Sequence, residues 1–289
     1  MDTESTVTTC YRHPKVESYV RCTRCDRFIC PGCMREAAVG HQCVECVKEG
    51  SRSVRQARTV FGGRVSAVPA VTYALIALNL LAYVAELALP DLVDRFAMLG
   101  APAPGRVWAG VAHGEWYRLV TGAFLHLSAR GNPLGILHLV LNMAALWSVG
   151  RQVEPQLGRT RFGALFLLSV LGGSVAVLLL APREYTVGAS GGIFGVAAAA
   201  FVFARRPGGR GVDPGMALLL VWLLVSARFT SWEAHVGGLV TGAVVAVAYA
   251  YAPRGRRRGL VQAGVCTAVL VVLVLCAWGK VSELTGGAA

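Results

Sequence analysis

From residue 68 to residue 279 the chain runs through apolar stretches too long and too numerous for the core of a water-soluble domain. They fall near 68–89, 134–150, 162–181, 187–204, 214–229, 232–252 and 260–279. Each is long enough to cross, or nearly cross, a bilayer. Backbone in hydrocarbon must satisfy its own hydrogen bonds, so such spans are expected to be helices. The expected fold is therefore an all-α polytopic membrane protein. A hydrophobic fraction of 55% and a charged fraction of 15% agree with this. The first 60 or so residues are polar and Cys-rich, so no cleavable signal peptide is expected and the run from Val68 reads as an uncleaved anchor.

Loop charges set the expected orientation. The net charge is +12, and Arg far outnumbers Lys. Arg52, Arg55, Arg58 and Arg64 precede the first span; Arg151, Arg159 and Arg161, then Arg205, Arg206 and Arg210, then Arg254, Arg256, Arg257 and Arg258 follow every second crossing. The opposite face holds roughly half as many basic residues, which places the N-terminus in the cytoplasm of a cell (inner) membrane protein. Arginine that sets topology accounts for the positive charge, and no nucleic-acid partner is expected. The richness in Arg, Ala, Gly and Val resembles that of a GC-rich bacterial genome. Between the first two spans, residues 90–133 carry Trp108, Trp116, Tyr117 and Phe124, an amphipathic content suited to the membrane interface.

Two polar residues sit where a membrane helix would rather have none: Ser190 in the fourth span and His235 in the sixth. Both spans, and the second, enter from the outer face. Ser190 and His235 each lie about three residues in, on the order of 5 Å deep. His138 and Asn142, four apart and so on one helix face, lie in the outer half of the second span. Gly188, Gly191, Gly192 and Gly195 on the fourth span and Gly238 and Gly242 on the sixth allow close helix packing. A serine beside an imidazole is the minimum equipment for nucleophilic hydrolysis. The same pattern also suits a simple interhelical hydrogen bond.

On these residues the chain resembles the rhomboid intramembrane serine proteases. Gly188-Ala189-Ser190-Gly191 matches the nucleophile span, and His235 with Gly238 and Gly242 the general-base span. His138-Leu139-Val140-Leu141-Asn142 matches the family's His-x-x-x-Asn element, and Glu115-Trp116-Tyr117-Arg118 its Trp/Arg loop motif. The resemblance covers about residues 68–252 and implies a six-helix core, with a further transmembrane helix after it. It implies Ser190 as nucleophile and His235 as base, a dyad with no acid partner. Glu233 stands two positions away, off the histidine's face. It further implies His138, Asn142 and the Ser190 amide as oxyanion donors, Gly188 at the substrate backbone, and Phe194 against His235. Expected partners are the lipid bilayer and transmembrane protein substrates, cut near the outer face. Two features depart from the common pattern: His126 lies twelve residues before His138, and residues 128–135 lengthen that loop. The competing expectation is a catalytically silent rhomboid-like protein that binds membrane clients.

Seven of the nine cysteines lie in residues 10–46. Cys10 and His13, Cys22 and Cys25, Cys30 and Cys33, and Cys43 and Cys46 are four pairs with a two-residue gap, the spacing that lets two side chains grip one tetrahedral ion. Eight ligands predict two structural Zn²⁺. Spacing leaves interleaved and sequential pairing open, with His41 an alternative to Cys43. The order resembles a B-box or related cross-brace finger, which implies Cys10, His13, Cys30 and Cys33 on one ion and Cys22, Cys25, Cys43 and Cys46 on the other. So short a segment buries little core, so metal is expected to hold it. The expected organisation is a cytoplasmic zinc-binding domain at 1–50, with a cytoplasmic protein as candidate partner. A basic linker at 51–67, the rhomboid core at 68–252, and a basic loop with the extra helix at 253–289 follow.

Overall fold

The structure, a computed structural model, describes residues 8–53, 57–103, 109–127, 133–208 and 231–286. The chain divides into two units, Met1–Ala57 and Arg58–Ala289. The expected fifth span, 214–229, and Trp108 lie outside the described residues.

In the first unit β1 (Thr9–Cys10) pairs antiparallel with β2 (His13–Glu17), and β3 (Met34–Glu36) pairs with β4 (His41–Cys43), which leads into α1 (Val44–Ser53). Among its described residues the buried apolar side chains are Ile29 and six cysteines, Cys10, Cys22, Cys30, Cys33, Cys43 and Cys46. Hydrophobic burial on that scale cannot offset the entropy of ordering the segment, so the cysteines must do so by another interaction.

The second unit is helical. Among the described residues its long elements are α2 (Ala70–Ala88), α5 (Pro133–Leu157), α6 (Arg159–Leu180), α7 (Ser190–Arg205), α8 (Trp232–Tyr251) and α9 (Arg258–Leu284). Short helices α3 (Leu92–Phe96) and α4 (Arg118–Thr121) lie between α2 and α5. Among the described residues four helices, α2, α6, α8 and α9, are long and apolar enough to cross a membrane. At 16 residues α7 is shorter, and α5 carries His138, Asn142, Arg151 and Glu154 within its length. The centre is formed by α6, α7 and α8, with Phe162, Leu165, Phe166, Val196, Ala199 and Val245 sealed from solvent. On α9 only 11% of the apolar window is buried, and Leu270, Val272, Leu275 and Trp278 face outward as lipid-contacting side chains do.

Close approach of α7 and α8 rests on glycine. A side chain on Gly238 would run into the carbonyl of Gly191, and one on Gly242 into the backbone of Gly195. The small-residue seam read in the sequence therefore joins these two helices backbone to backbone.

Buried polar contacts fix the ends of the bundle. Glu154, 1% exposed, accepts the Val71 and Thr72 amides at 3.0 and 2.8 Å and the Thr72 hydroxyl at 2.8 Å. A carboxylate from α5 thus caps the N-terminus of α2 and meets its positive dipole end. At the same end, buried Phe61 stacks on Phe203 with ring centroids 4.1 Å apart, and its carbonyl accepts Gln262 Nε2 at 3.1 Å.

The segment between α2 and α5 lies over the other end. Arg118, 2% exposed, donates to Glu115 Oε2 at 2.7 Å and to the carbonyls of Asp94 and Ala97 at 2.9 and 2.8 Å. Trp116 remains 40% exposed, so of the Trp116–Arg118 pair it is the arginine that anchors this segment. Met98 and Thr186 exchange backbone hydrogen bonds of 2.9 and 3.0 Å, and the Gly188 amide donates to the Gly122 carbonyl at 3.0 Å. These bonds tie the segment to the chain just before Ser190.

Candidate functional site

Where the fourth span was expected to begin near residue 187, the chain is instead held extended by Met98 and Gly122, and α7 starts at Ser190 itself. Gly188 makes the turn at φ +122°, a conformation that a side chain resists. Ser190 therefore stands at the first position of a helix, where backbone N–H groups lack intrahelical partners and the dipole favours negative charge.

His235 lies in the first turn of α8 and is 2% exposed. Its Nε2 is 2.8 Å from Ser190 Oγ. Phe194 packs against it, with ring centroids 4.4 Å apart. Among the described residues His235 Nδ1 has no hydrogen-bond partner, and Glu233 is engaged with the Ser231 hydroxyl at 3.0 Å. No acid of the described chain orients the imidazole.

His138 supplies the opposite wall. A Cβ on Gly188 would lie 3.0 Å from His138 Nε2 and 3.8 Å from Ser190 Oγ, so the histidine and the serine flank one point above Gly188. The Leu127 amide donates to His138 Nδ1 at 3.4 Å. With Nδ1 accepting, a neutral His138 carries its proton on Nε2 and presents a donor toward that point. Asn142 is buried below it and donates one amide hydrogen to the His138 carbonyl at 2.9 Å. Its second amide hydrogen is what remains for the site. A small cavity of about 20 Å³ adjoins the turn, lined by Gly188, Gly191, Gly192, Gly173, Ser174 and Ala234 among others.

His126 is fully buried, its ring centroid 5.2 Å from that of His138 and its amide donating to Glu86 Oε1 at 2.9 Å. It packs behind His138 rather than beside Ser190. Asn79 bonds the Leu75 carbonyl one turn back, at 2.8 Å. The Leu127 amide and the Glu154 cap were not evident from sequence. An acid inside an apolar run, one residue before Pro155, was the signal for the second.

Residues 113–252 match the family model of the rhomboid domain. The chain carries a rhomboid domain. Over 144 residues it is 34% identical to the rhomboid protease GluP of Bacillus subtilis (strain 168), a match covering 48% of this chain and 27% of that protein. It is 33% identical over 144 residues to the mitochondrial RHOMBOID-like protein 6 of Arabidopsis thaliana, covering 47% of this chain and 44% of that one. RHOMBOID-like protein 2 of the same plant is 38% identical over 90 residues, 31% of this chain and 26% of the relative. The chain thus spans less than half the length of each of these relatives. With a rhomboid domain and several membrane-length helices, it is a multi-pass membrane protein. Ser190, His235, His138 and Asn142 all fall within the rhomboid domain.

In the first unit the donor atoms of Cys10, His13, Cys30 and Cys33 form one group, and those of Cys22, Cys25, Cys43 and Cys46 another, each within 4.8 Å. The pairing is interleaved, and His41 stands in neither group. Backbone amides point at the sulfurs: Cys43 N–H to Cys22 Sγ at 3.2 Å and Cys46 N–H to Cys43 Sγ at 3.3 Å. Burial raises the Cys10 thiol, but the amides of Cys30, Arg12 and His13 outweigh it and bring its pKa down to about 6. Burial likewise raises Cys22, and the amides of Cys43, Arg24 and Cys25 bring it to about 6. Two compact sets of soft donors with thiolate character fit metal ions.

Proposed function

We propose that this protein is an intramembrane serine endopeptidase working through a Ser190–His235 dyad. The observation that carries the reading is the 2.8 Å contact of His235 Nε2 with Ser190 Oγ, with His138 Nε2 facing the same point above Gly188. His235 takes the hydroxyl proton as Ser190 Oγ attacks a peptide carbonyl, and later returns it to the leaving amine. The carbonyl oxygen, now negative, sits above Gly188 between His138 Nε2–H and the amides that open α7. The remaining N–H of Asn142 is a further donor. One such donor contributes about 3–4 kcal/mol to the transition state. Water then hydrolyses the acyl-enzyme with His235 as base. Phe194 holds the imidazole plane, and the Gly188 turn leaves room for a substrate strand.

The proposed substrates are transmembrane segments of other proteins, unwound near the membrane face where α7 and α8 begin. We assign that face to the outside and the N-terminus to the cytoplasm of a cell membrane, on the arginine distribution of the loops. The two cysteine-rich groups are proposed to hold one Zn²⁺ each, a structural role that replaces a missing core. A cytoplasmic protein is the proposed partner of residues 1–50.

The test is cleavage of a labelled single-span substrate in liposomes by wild type and by Ser190→Ala. Loss of on the order of 10³-fold or more is expected, together with loss of fluorophosphonate labelling in both Ser190→Ala and His235→Ala. Cleavage that survives Ser190→Ala would return the chain to the competing reading, a silent client-binding rhomboid.

A further inference from the structure

At the end of the bundle far from Ser190, residues 59–63 fold into a tight turn. The Thr59 amide donates to the Gly63 carbonyl at 2.9 Å, and the Gly63 amide to Thr59 Oγ1 at 2.8 Å. Gly63 sits against the Leu157 carbonyl so closely that no side chain fits, and Phe61 plugs the bundle beside Phe203. The turn is a rigid frame.

On this frame Arg58 and Arg64 face each other as antiparallel bridge partners. Like charges directly opposite across a bridge destabilise it. Arg159 and Arg161 approach from the first turn of α6, and the four arginines line one open cavity of about 840 Å³ whose wall holds no acid among the described residues. Arg161 reaches on toward Arg258: a Cβ on Gly62 would lie 3.6 Å from Arg258 Nε and 3.7 Å from Arg161 Nη2. Among the described residues these five arginines have no carboxylate partner; their protein contacts are carbonyls and the Gln262 side chain. The start of α6 adds uncapped amides, since Gly158 offers no side chain and the first turn holds no acid.

Arginines that only set topology need to lie in a loop; they gain nothing from converging on a rigid cavity against their mutual repulsion. Convergence of this kind is met by a multivalent oxyanion, for which guanidinium forks are well shaped. Val65 and Ala67 of the cavity wall, with Val65 60% exposed and Val68 beside it 50% exposed, lead from the arginines toward the apolar start of α2. A ligand with a phosphate at one end and acyl chains at the other matches that gradient.

We propose that this cavity binds the phosphate of an anionic phospholipid headgroup, in the leaflet at this end of the bundle. The site is independent of the proteolytic reading, because it shares no residue with the Ser190 site.

The full chain in neutral detergent is titrated with phosphatidylglycerol and with phosphatidylcholine, and bound lipid is counted by native mass spectrometry. Phosphatidylglycerol is expected to bind about tenfold more tightly. The double substitution Arg64→Gln/Arg159→Gln should reduce that preference about tenfold, whereas Arg256→Gln/Arg257→Gln, which removes the same charge from the adjacent loop, should leave it intact. If the first pair does not fold, Arg58→Gln alone should weaken the preference and carries the same reading. Equal loss from both pairs would mean diffuse surface charge and would overturn the site, as would the absence of any preference. Release of the lipid by millimolar inorganic phosphate would reassign the cavity to free phosphate and overturn the lipid assignment.

Discussion

At the scale of single residues, Gly188 carries the most constraint. Its φ of +122° makes the turn before Ser190, and a side chain would occupy the space between His138 and the nucleophile. That space is where we place the developing oxyanion. Gly188→Ala is therefore expected to lower kcat by on the order of 10²-fold, with a smaller change in KM, in the liposome cleavage assay. Ser190, His235 and the His138–Asn142 pair were legible as polar residues that lipid would exclude. What no linear pattern showed was the Leu127 amide at 3.4 Å from His138 Nδ1. That contact depends on how a loop closes over α5, and loops have no periodicity to read.

At the scale of elements, the expected span 232–252 and the helix Trp232–Tyr251 nearly coincide, as do 68–89 and Ala70–Ala88. The beginning of α7 is different. The fourth span was expected to begin at residue 187, but backbone bonds of Thr186 to Met98 and of Gly188 to Gly122 hold the chain extended there and move the helix start to Ser190. The α2 cap was also hidden, because Glu154 lies 82 residues from Thr72. Glu154→Ala removes three hydrogen bonds to a buried carboxylate, and should cost roughly 2–3 kcal/mol, seen as a lower thermal midpoint in detergent. Acid should loosen the segment between α2 and α5. Burial raises the Glu115 carboxyl, yet the Gly110 amide and Arg118 outweigh it and hold its pKa below the usual value. Its contribution is therefore full above the unfolded pKa of about 4.3 and is lost as pH falls through the folded value. Limited proteolysis of residues 90–127 should rise in that acid range for wild type, and Glu115→Gln should show the raised cleavage already at neutral pH.

At the scale of the whole molecule, two units are held by different physics. The rhomboid unit packs helices through glycine seams and buried aromatic side chains, whereas the first unit has six buried cysteines and Ile29 in place of a core. Metal analysis of the purified full chain should find two zinc ions. A strong chelator should remove the protection of residues 8–53 from protease while leaving the helical signal of the bundle nearly unchanged. Retention of that protection with no metal bound would refute a structural metal role.

The sequence by itself determined the membrane class, the approximate spans, the eight candidate metal donors of the first unit and the polar residues of the candidate site. These are properties of composition and of spacing along one chain, where hydration cost and ligand reach act locally. Tertiary structure alone decided that Ser190 opens its helix, that His138 faces the point above Gly188, that the candidate metal donors interleave, and that five arginines converge with no carboxylate partner among the described residues. Each of these depends on which distant segments touch, and the energies that select those contacts arise only when the chain is closed.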